Sequence, residues 1–310
     1  MKIISITQAD WCNVGYAIAK ALRLVGVDAE SFKMSPHNFG YAEESKILST
    51  ELLRYEINKA DIVFICNSNY FCLELCKQAN KKNVYVYHTG TNYRRKPKEY
   101  NEKFNPFIKR AFTDQTEFIG TGMKNEHYVF SPIDTEKITC EIKKPASCLK
   151  IAHYPSNSVV KGTTIIRNVL QNLEMVHSGK IQFAISATTV PHEKQIERMK
   201  DCDVYVELFA PEHEGNKYGC FGVTAMEAAA LGKIVVTNHT TPEVYERFYG
   251  KKTPFIIPQT ERELFQSIEN LILAGRQELT EKKIQTRQWA DSYHGYKATG
   301  ERLKQLLEIV

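Results

Sequence analysis

Short apolar bursts of strand length recur along this chain, each followed by a stretch with helical spacing. This alternation constrains the fold more than any other feature. Lys2–Thr7, Ile62–Cys66 and Val84–Tyr87 read as buried strands, and Phe118–Gly120 and Tyr128–Phe130 as shorter strand signals. Between them, Val14–Val25 places Val14, Ala17, Ile18, Ala21, Leu22 and Val25 on one helical face and stops at Gly26. Tyr70–Asn80 reads as a second helix. The pattern then restarts. Strands are predicted at Leu149–Tyr154, Ile181–Ser186, Val204–Leu208, Ile234–Thr237 and Pro254–Ile257. Helices are predicted at Thr163–Leu173, His192–Lys200, Thr224–Leu231 and Glu261–Ala274. The polar amphipathic tail Thr280–Val310 predicts two helices bent near Tyr293–Gly295. Such alternation implies parallel sheets with helices on both faces. A chain of 310 residues has room for two such domains, and the polar, proline-bearing segment Glu141–Ser147 reads as their linker. The expected architecture is α/β: two Rossmann-like, doubly wound parallel-sheet domains facing a cleft. The first spans residues 1–145 and the second 146–285, with 286–310 a helix returning to the first.

Composition removes several alternatives. With 43% hydrophobic and 25% charged residues the chain is neither disordered nor fibrous. A net charge of +5 does not by itself announce nucleic acid or membrane. Apolar runs such as Ile62–Cys66 fall far short of the ~20 residues of a spanning helix, and a secretory leader pattern is not evident. The expected location is the cytoplasm, with peripheral association to a membrane left open. The eight cysteines (12, 66, 72, 76, 140, 148, 202 and 220) contain no CxxC pair and read as buried thiols, without disulfide or zinc.

Two stretches carry the candidate chemistry. In Tyr218–Lys233, Gly219 and Gly222 lead into the alanine-rich helix that holds Glu227. Glycines permit a tight turn, the helix start offers amides and partial positive charge to a diphosphate, and a carboxylate one turn on can accept two ribose hydroxyls. In His153-Tyr-Pro-Ser-Asn-Ser-Val-Val-Lys161-Gly162-Thr-Thr, a lysine beside a glycine at a helix start suits phosphate, although the Walker spacing is absent. Asp201-Cys202-Asp203 has the spacing of a metal-binding acid pair but precedes a strand, and no metal site is expected.

Together the two stretches resemble the retaining GT-B glycosyltransferases of the large glycogen-synthase-like group (group 1, GT4). Its second domain often begins HxPSxxxxKG and later carries FGxxxxEAxAxGxPVV; here these are His153–Gly162 and Phe221–Val236. The segment Arg287–His294 resembles the family's closing helix. The likeness is specific over 149–295 and loose over 1–148. It implies that His153, Gly162, Gly219, Phe221, Gly222 and Val223 line the donor, that Lys161 faces the diphosphate and that Glu227 holds the ribose. The first glutamate of the family's E-x7-E motif falls on Gly219, and Glu212 or Glu214 in the preceding loop is the expected substitute, with Glu214 the catalytic candidate. In the first domain, Asn13 and Gly15 occupy the family's glycine-loop turn, although Asn13 could equally cap the helix. His88, at a strand's carboxyl end, falls where the family places a histidine near the donor sugar. The implied reaction moves a hexose from a UDP-glucose-like nucleotide sugar to an acceptor hydroxyl, with retention and without metal or other cofactor.

From Tyr93 to Arg110, seven basic residues face two acids, with Tyr93, Tyr100, Phe104 and Phe107 interleaved. Arg94, Arg95 and Lys96 are the expected contacts for an anionic acceptor: an acidic glycan, a lipid-linked sugar or DNA. Two rivals share the fold, a phage-type glucosyltransferase of a hydroxylated DNA base and a sugar-nucleotide-binding protein that has lost catalysis. An epimerase fits least, because no paired carboxylates can be placed on both faces of a sugar.

Overall fold

A computed structural model describes residues 1–36, 41–42, 44–143, 147–213 and 215–309. The chain forms two compact units, each built on its own sheet. The first comprises Met1–Asp134, Arg247–Gly250 and Tyr293–Val310; the second comprises Thr135–Glu246 and Lys251–Ser292. The division falls between Asp134 and Thr135, ahead of the segment read as a linker, of which residues 144–146 lie outside the described residues.

In the first unit the strands are β1 (Lys2–Thr7), β2 (Asp28–Lys33), β3 (Lys46–Ile47), β4 (Ile62–Cys66), β5 (Val84–His88), β6 (Arg110–Thr113) and β7 (His127–Tyr128). They form one parallel sheet in the order β3-β2-β1-β4-β5-β6-β7. β4 and β5 are buried at every position, which is why they read as continuous apolar bursts. One sheet face packs on Leu53, Leu73, Tyr93 and Phe104; the other packs on Val14, Ile18 and Leu22 of the helix Val14–Leu24 and on Leu303 and Leu307. The chain therefore needs its C-terminal helix, Tyr296–Leu306, to close this second face. Connections run from β1 outward through β2 to β3, and from β4 the other way. The switch point lies between the carboxyl ends of β1 and β4, where an open sheet leaves a crevice.

In the second unit β8 (Leu149–His153), β9 (Ile181–Ile185), β10 (Val204–Leu208) and β13 (Ile234–Thr237) form a four-stranded parallel sheet, ordered β13-β10-β8-β9. The switch point lies between β8 and β10. β11 (Glu212–His213) and β12 (Asn216–Lys217) make a small antiparallel hairpin after β10. The strand predicted at Pro254–Ile257 is reduced to one bridge, Ile256 to Val236. The helix Thr163–Val176 lays Ile166, Val169, Leu170 and Leu173 against the sheet. Arg287 ties this unit together by donating to the carbonyls of Thr135, Ile138 and Ala230. The two tail helices, Arg276–His294 and Tyr296–Leu306, break at Gly295 near the expected bend. Among the described residues, no helix is long and apolar enough to cross a membrane.

Candidate functional site

The second unit's motifs meet at its switch point. The loop after β8 carries Lys161 and ends at Gly162, whose left-handed backbone (φ 66°) starts the helix Thr163–Val176. The Lys161 ammonium pairs with the Glu207 carboxylate near the end of β10, and Glu207 also accepts a hydrogen bond from the Thr224 hydroxyl. Glu207 is 1% exposed at its side chain and Lys161 16%, so this is a buried charge pair held by a third polar group. Glu207 was not foreseen, because it sits inside the apolar run Val-Tyr-Val-Glu-Leu; an acid within a fully buried strand is the signal that could have found it.

The glycine turn is shaped around that pair. A Cβ on Gly222 would lie 2.1 Å from Glu207 Oε1 and 3.1 Å from Lys161 Nζ, so only glycine leaves room for both. Gly222 is the N-cap of the helix Val223–Ala230, whose first amides have no carbonyl one turn back. An ammonium has three N–H donors, and Glu207 fixes the direction of one. The result is a fixed cation beside a glycine turn and a helix start, an arrangement able to bind a phosphate group.

Glu227 lies within that helix and is 3% exposed. Its Oε1 is 2.5 Å from His192 Nε2, and its Oε2 is buried without a hydrogen-bond partner in the protein. One carboxylate oxygen is thus held and the other is unsatisfied, which suits acceptance of a hydroxyl from a ligand. His192, at the first position of the helix His192–Met199, was not singled out in the sequence, where only its place before an acidic–basic run was visible.

His153 has a different place from the expected one. It is 0% exposed; Nδ1 is 2.7 Å from the Val206 carbonyl and Nε2 is 2.9 Å from Thr163 Oγ1. A carbonyl only accepts, so Nδ1 carries the proton and Nε2 accepts from the threonine hydroxyl. Both nitrogens are engaged within the protein, and the ring acts as a strut between β10 and the helix start rather than as a donor contact. Burial pushes its pKa down to about 4. The unfolded chain takes up this proton first as pH falls, so stability is full above the ordinary histidine range and declines from about pH 6.5 toward pH 4. The expected loss is up to about 3 kcal/mol. In urea titrations across that range, His153→Gln should bind one fewer proton on unfolding; an unchanged pH slope would contradict this.

A hollow of about 720 Å³ opens beside Gly162 and is lined also by Ser158, Thr164, Tyr218, Asn238 and Gln259. Neither Lys161 nor Glu227 lines it, so it adjoins the charged site without containing it.

Neither a protein-family model nor a curated protein matches the chain. Solved structures do. The Anabaena protein HepE in complex with UDP aligns over 100% of both chains, with TM-score 0.62 and 15% identity. A glycosyltransferase from Rickettsia africae aligns over 99% of this chain and 98% of its own, with TM-score 0.63 and 12% identity. An alpha,alpha-trehalose-phosphate synthase (UDP-forming) from Burkholderia vietnamiensis aligns over 99% of each, with TM-score 0.62 and 7% identity. The fold is GT-B.

Within this GT-B fold, the remaining expected residues fall out as follows. Phe221 is buried against His239, Tyr245 and Phe255, so its side chain is core and only its backbone can serve a ligand. Val223 opens the helix beside Gly222. Gly219 has φ 152°, and a Cβ there would lie 2.4 Å from Asn238 Nδ2 and 3.0 Å from the His239 Cα. Glu214 lies outside the described residues. Glu212 is exposed in the hairpin β11–β12. Asp201 and Asp203 are held by Lys150 and by Lys283 respectively, and among the described residues no group of three or more His, Cys, Asp or Glu could hold a metal ion.

In the first unit of the GT-B pair, Gly15 is not a loop glycine. It is buried in the helix Val14–Leu24, and its amide donates to Asp10 Oδ1 at 2.6 Å, so that amide does not serve a ligand. Asn13 precedes this helix in a left-handed conformation without a side-chain cap, and its Nδ2 donates to the Ala42 carbonyl. His88 is 0% exposed, with Nδ1 2.9 Å from Ser68 Oγ and its ring stacked on Tyr93; burial pushes its pKa down to about 3. Within the basic run, Arg94 donates to Glu117 and Gln115, and Lys96 and Lys103 share Glu99 in exposed pairs. Arg95 follows Arg94 in the helix Gly90–Arg95 and is engaged as well.

Proposed function

We propose that this protein is a glycosyltransferase that moves a hexose from a nucleoside-diphosphate sugar, of UDP-glucose type, to an acceptor hydroxyl. The observation that carries the reading is the buried Lys161–Glu207–Thr224 cluster wrapped by the Gly222 turn, with half-satisfied Glu227 in the helix that follows. Structures of similar fold support it, among them HepE in complex with UDP and glucose, at TM-score 0.61 and 15% identity. In the reaction the bond between the sugar's anomeric carbon and the diphosphate oxygen breaks, and a bond to the acceptor oxygen forms. Negative charge grows on the departing diphosphate. Lys161 and the first amides of the helix Val223–Ala230 would meet that charge from fixed positions, with no metal required. Glu227 would accept the ribose hydroxyls, Oε2 being the oxygen open to them. Retention is part of the proposal: a diphosphate oxygen takes the proton that the acceptor hydroxyl loses.

The test is a thermal-shift screen of UDP, GDP, ADP and their glucose conjugates. A ligand at a hundred times its Kd stabilises by about 2.7 kcal/mol, so one nucleotide should raise the melting temperature by about 5 °C. Glu227→Gln should weaken that nucleotide about tenfold, since an amide accepts at one position only. If no nucleoside diphosphate shifts the protein, the reading fails. The rival reading of a non-catalytic binding protein has one observation in its favour, the absence of any side chain at Gly219; binding without donor hydrolysis or transfer would select it.

A further inference from the structure

Among the described residues, three acids of the second unit are buried: Asp203, Glu207 and Glu227. They differ in how their oxygens are used. Asp203 Oδ1 accepts from the Lys283 ammonium, and Oδ2 accepts from the Lys150 amide at 3.0 Å. Glu207 Oε1 accepts from Lys161, and Oε2 accepts from the Thr224 hydroxyl. Glu227 Oε1 accepts from His192 Nε2, and Oε2 is buried without a hydrogen-bond partner in the protein. A buried carboxylate that serves only the fold has both oxygens satisfied, as the first two have. Glu227 has one oxygen anchored and one open.

An open oxygen is of use to a ligand only when the carboxylate is held still. The helix Val223–Ala230 does not hold it, because the residues around Glu227 are the buried Ala225, Met226, Ala228 and Ala229, which bring no strong donor. The anchor comes from another helix, His192–Met199, which packs on this one. Its Gln195 and Met199 are buried, so His192, Gln195 and Met199 share the inward face. His192 is the first residue of that helix and follows Pro191, whose ring fixes φ at the entry (−53°). An ionised carboxylate only accepts, so Nε2 carries the proton and donates to Oε1 at 2.5 Å. The histidine side chain is 26% exposed and that of Glu227 4%, so a ring at the rim braces an acid in the interior.

We propose that His192 is a positioning residue for nucleotide binding. It occupies Glu227 Oε1, fixes the plane of the carboxylate and leaves Oε2 as the single acceptor for ribose hydroxyls, so that a ribonucleotide is preferred to one lacking those hydroxyls. This rests on the glycosyltransferase reading, in which Glu227 meets the ribose, and adds the residue that orients it.

Calorimetric titration with UDP, GDP and ADP, and with the 2′,3′-dideoxy form of whichever binds tightest, tests this. The variants are His192→Ala, His192→Asn and His192→Gln, in the parent and in Glu227→Gln. Glutamine brings an N–H to about the place of Nε2, whereas asparagine is one methylene too short. His192→Ala and His192→Asn should weaken the ribonucleotide about tenfold, and His192→Gln should stay within about threefold of the parent. The dideoxy form should bind the parent about tenfold more weakly and change less than about twofold in any His192 variant. In the Glu227→Gln background, His192→Ala should cost less than about twofold more, because the group it orients is already altered. A stoichiometry near one in each variant shows that the protein titrated is folded. No binding of any nucleoside diphosphate by the parent overturns both readings. A parent that binds and loses nothing with His192→Ala overturns the positioning role alone. So does an equal loss for the ribose and dideoxy forms, or a His192→Gln protein as weak as His192→Ala.

Discussion

Lys161→Ala is expected to lower folding stability by about 3 kcal/mol, and adding Glu207→Gln is expected to return most of that loss. Removing the ammonium leaves the Glu207 carboxylate, 1% exposed, with only the Thr224 hydroxyl as partner. An uncompensated buried charge costs more than the pair itself contributes, so the damage lies in the orphaned carboxylate. Making that group a neutral amide removes most of the penalty. Urea denaturation of the parent, both single variants and the double variant checks this. A loss below about 1 kcal/mol in Lys161→Ala would mean that the two groups do not form a buried unit. The same cycle governs how binding is read. Weakened nucleotide binding in Lys161→Ala alone mixes a lost contact with a disturbed turn. In the double variant the turn is relieved, and a remaining loss of about tenfold or more in UDP affinity would belong to the missing cation.

Gly219→Glu is expected to destabilise the protein by about 3 kcal/mol and to give no more transfer activity than the parent, although it writes in the glutamate that the GT4 pattern it resembles carries at this position. A side chain at 219 meets Asn238 Nδ2 at 2.4 Å, and behind it the backbone of Asn238 and His239 at 3.0 Å. Asn238 cannot simply swing aside, since its Oδ1 accepts from Ala210 N and its Nδ2 donates to the Tyr218 carbonyl. At φ 152° the backbone itself is one that glycine favours. The glycine at 219, where the resembled pattern has a glutamate, is therefore built into the turn. A Gly219→Glu protein with the parent's unfolding midpoint would refute this account.

Each strand that the sequence revealed places two or more large apolar residues in a short run: β1, β4, β5, β8, β9, β10 and β13. Those it hid, β2, β3 and β6, hold one each. β2, Asp-Ala-Glu-Ser-Phe-Lys, alternates polar residues, and its Lys33 is 0% exposed. β6 opens on Arg110 and is four residues long. The helix Thr50–Lys59 buries only Leu53 and Ile57, too thin a stripe to stand out in a polar run. At the site Lys161, Gly222 and Glu227 were singled out by glycine and charge at helix starts together with the family resemblance, and the structure brings Gly222 beside Lys161 and places Glu227 in the helix that Gly222 caps. Their partners Glu207 and His192 were not singled out, because pairing across a sheet or between helices leaves no fixed spacing in the chain. His153 and Gly15 were misread for a related reason: a histidine at a strand's end or a glycine at a helix start looks the same whether it meets a ligand or a neighbouring carbonyl or carboxylate.

The second-unit segments of the chain are bracketed by first-unit ones, and Tyr293–Val310 completes a core begun by the opening residues. Leu22 and Leu303, both 0% exposed, meet across that core. Severing the polypeptide once, at residue 134, would release neither half intact: the leading fragment would bare a greasy stripe worth roughly 2–3 kcal/mol per leucine, and the trailing fragment would carry an orphan helix. Anyone wishing to produce the first half by itself must graft Tyr293–Val310 back onto it through a tether.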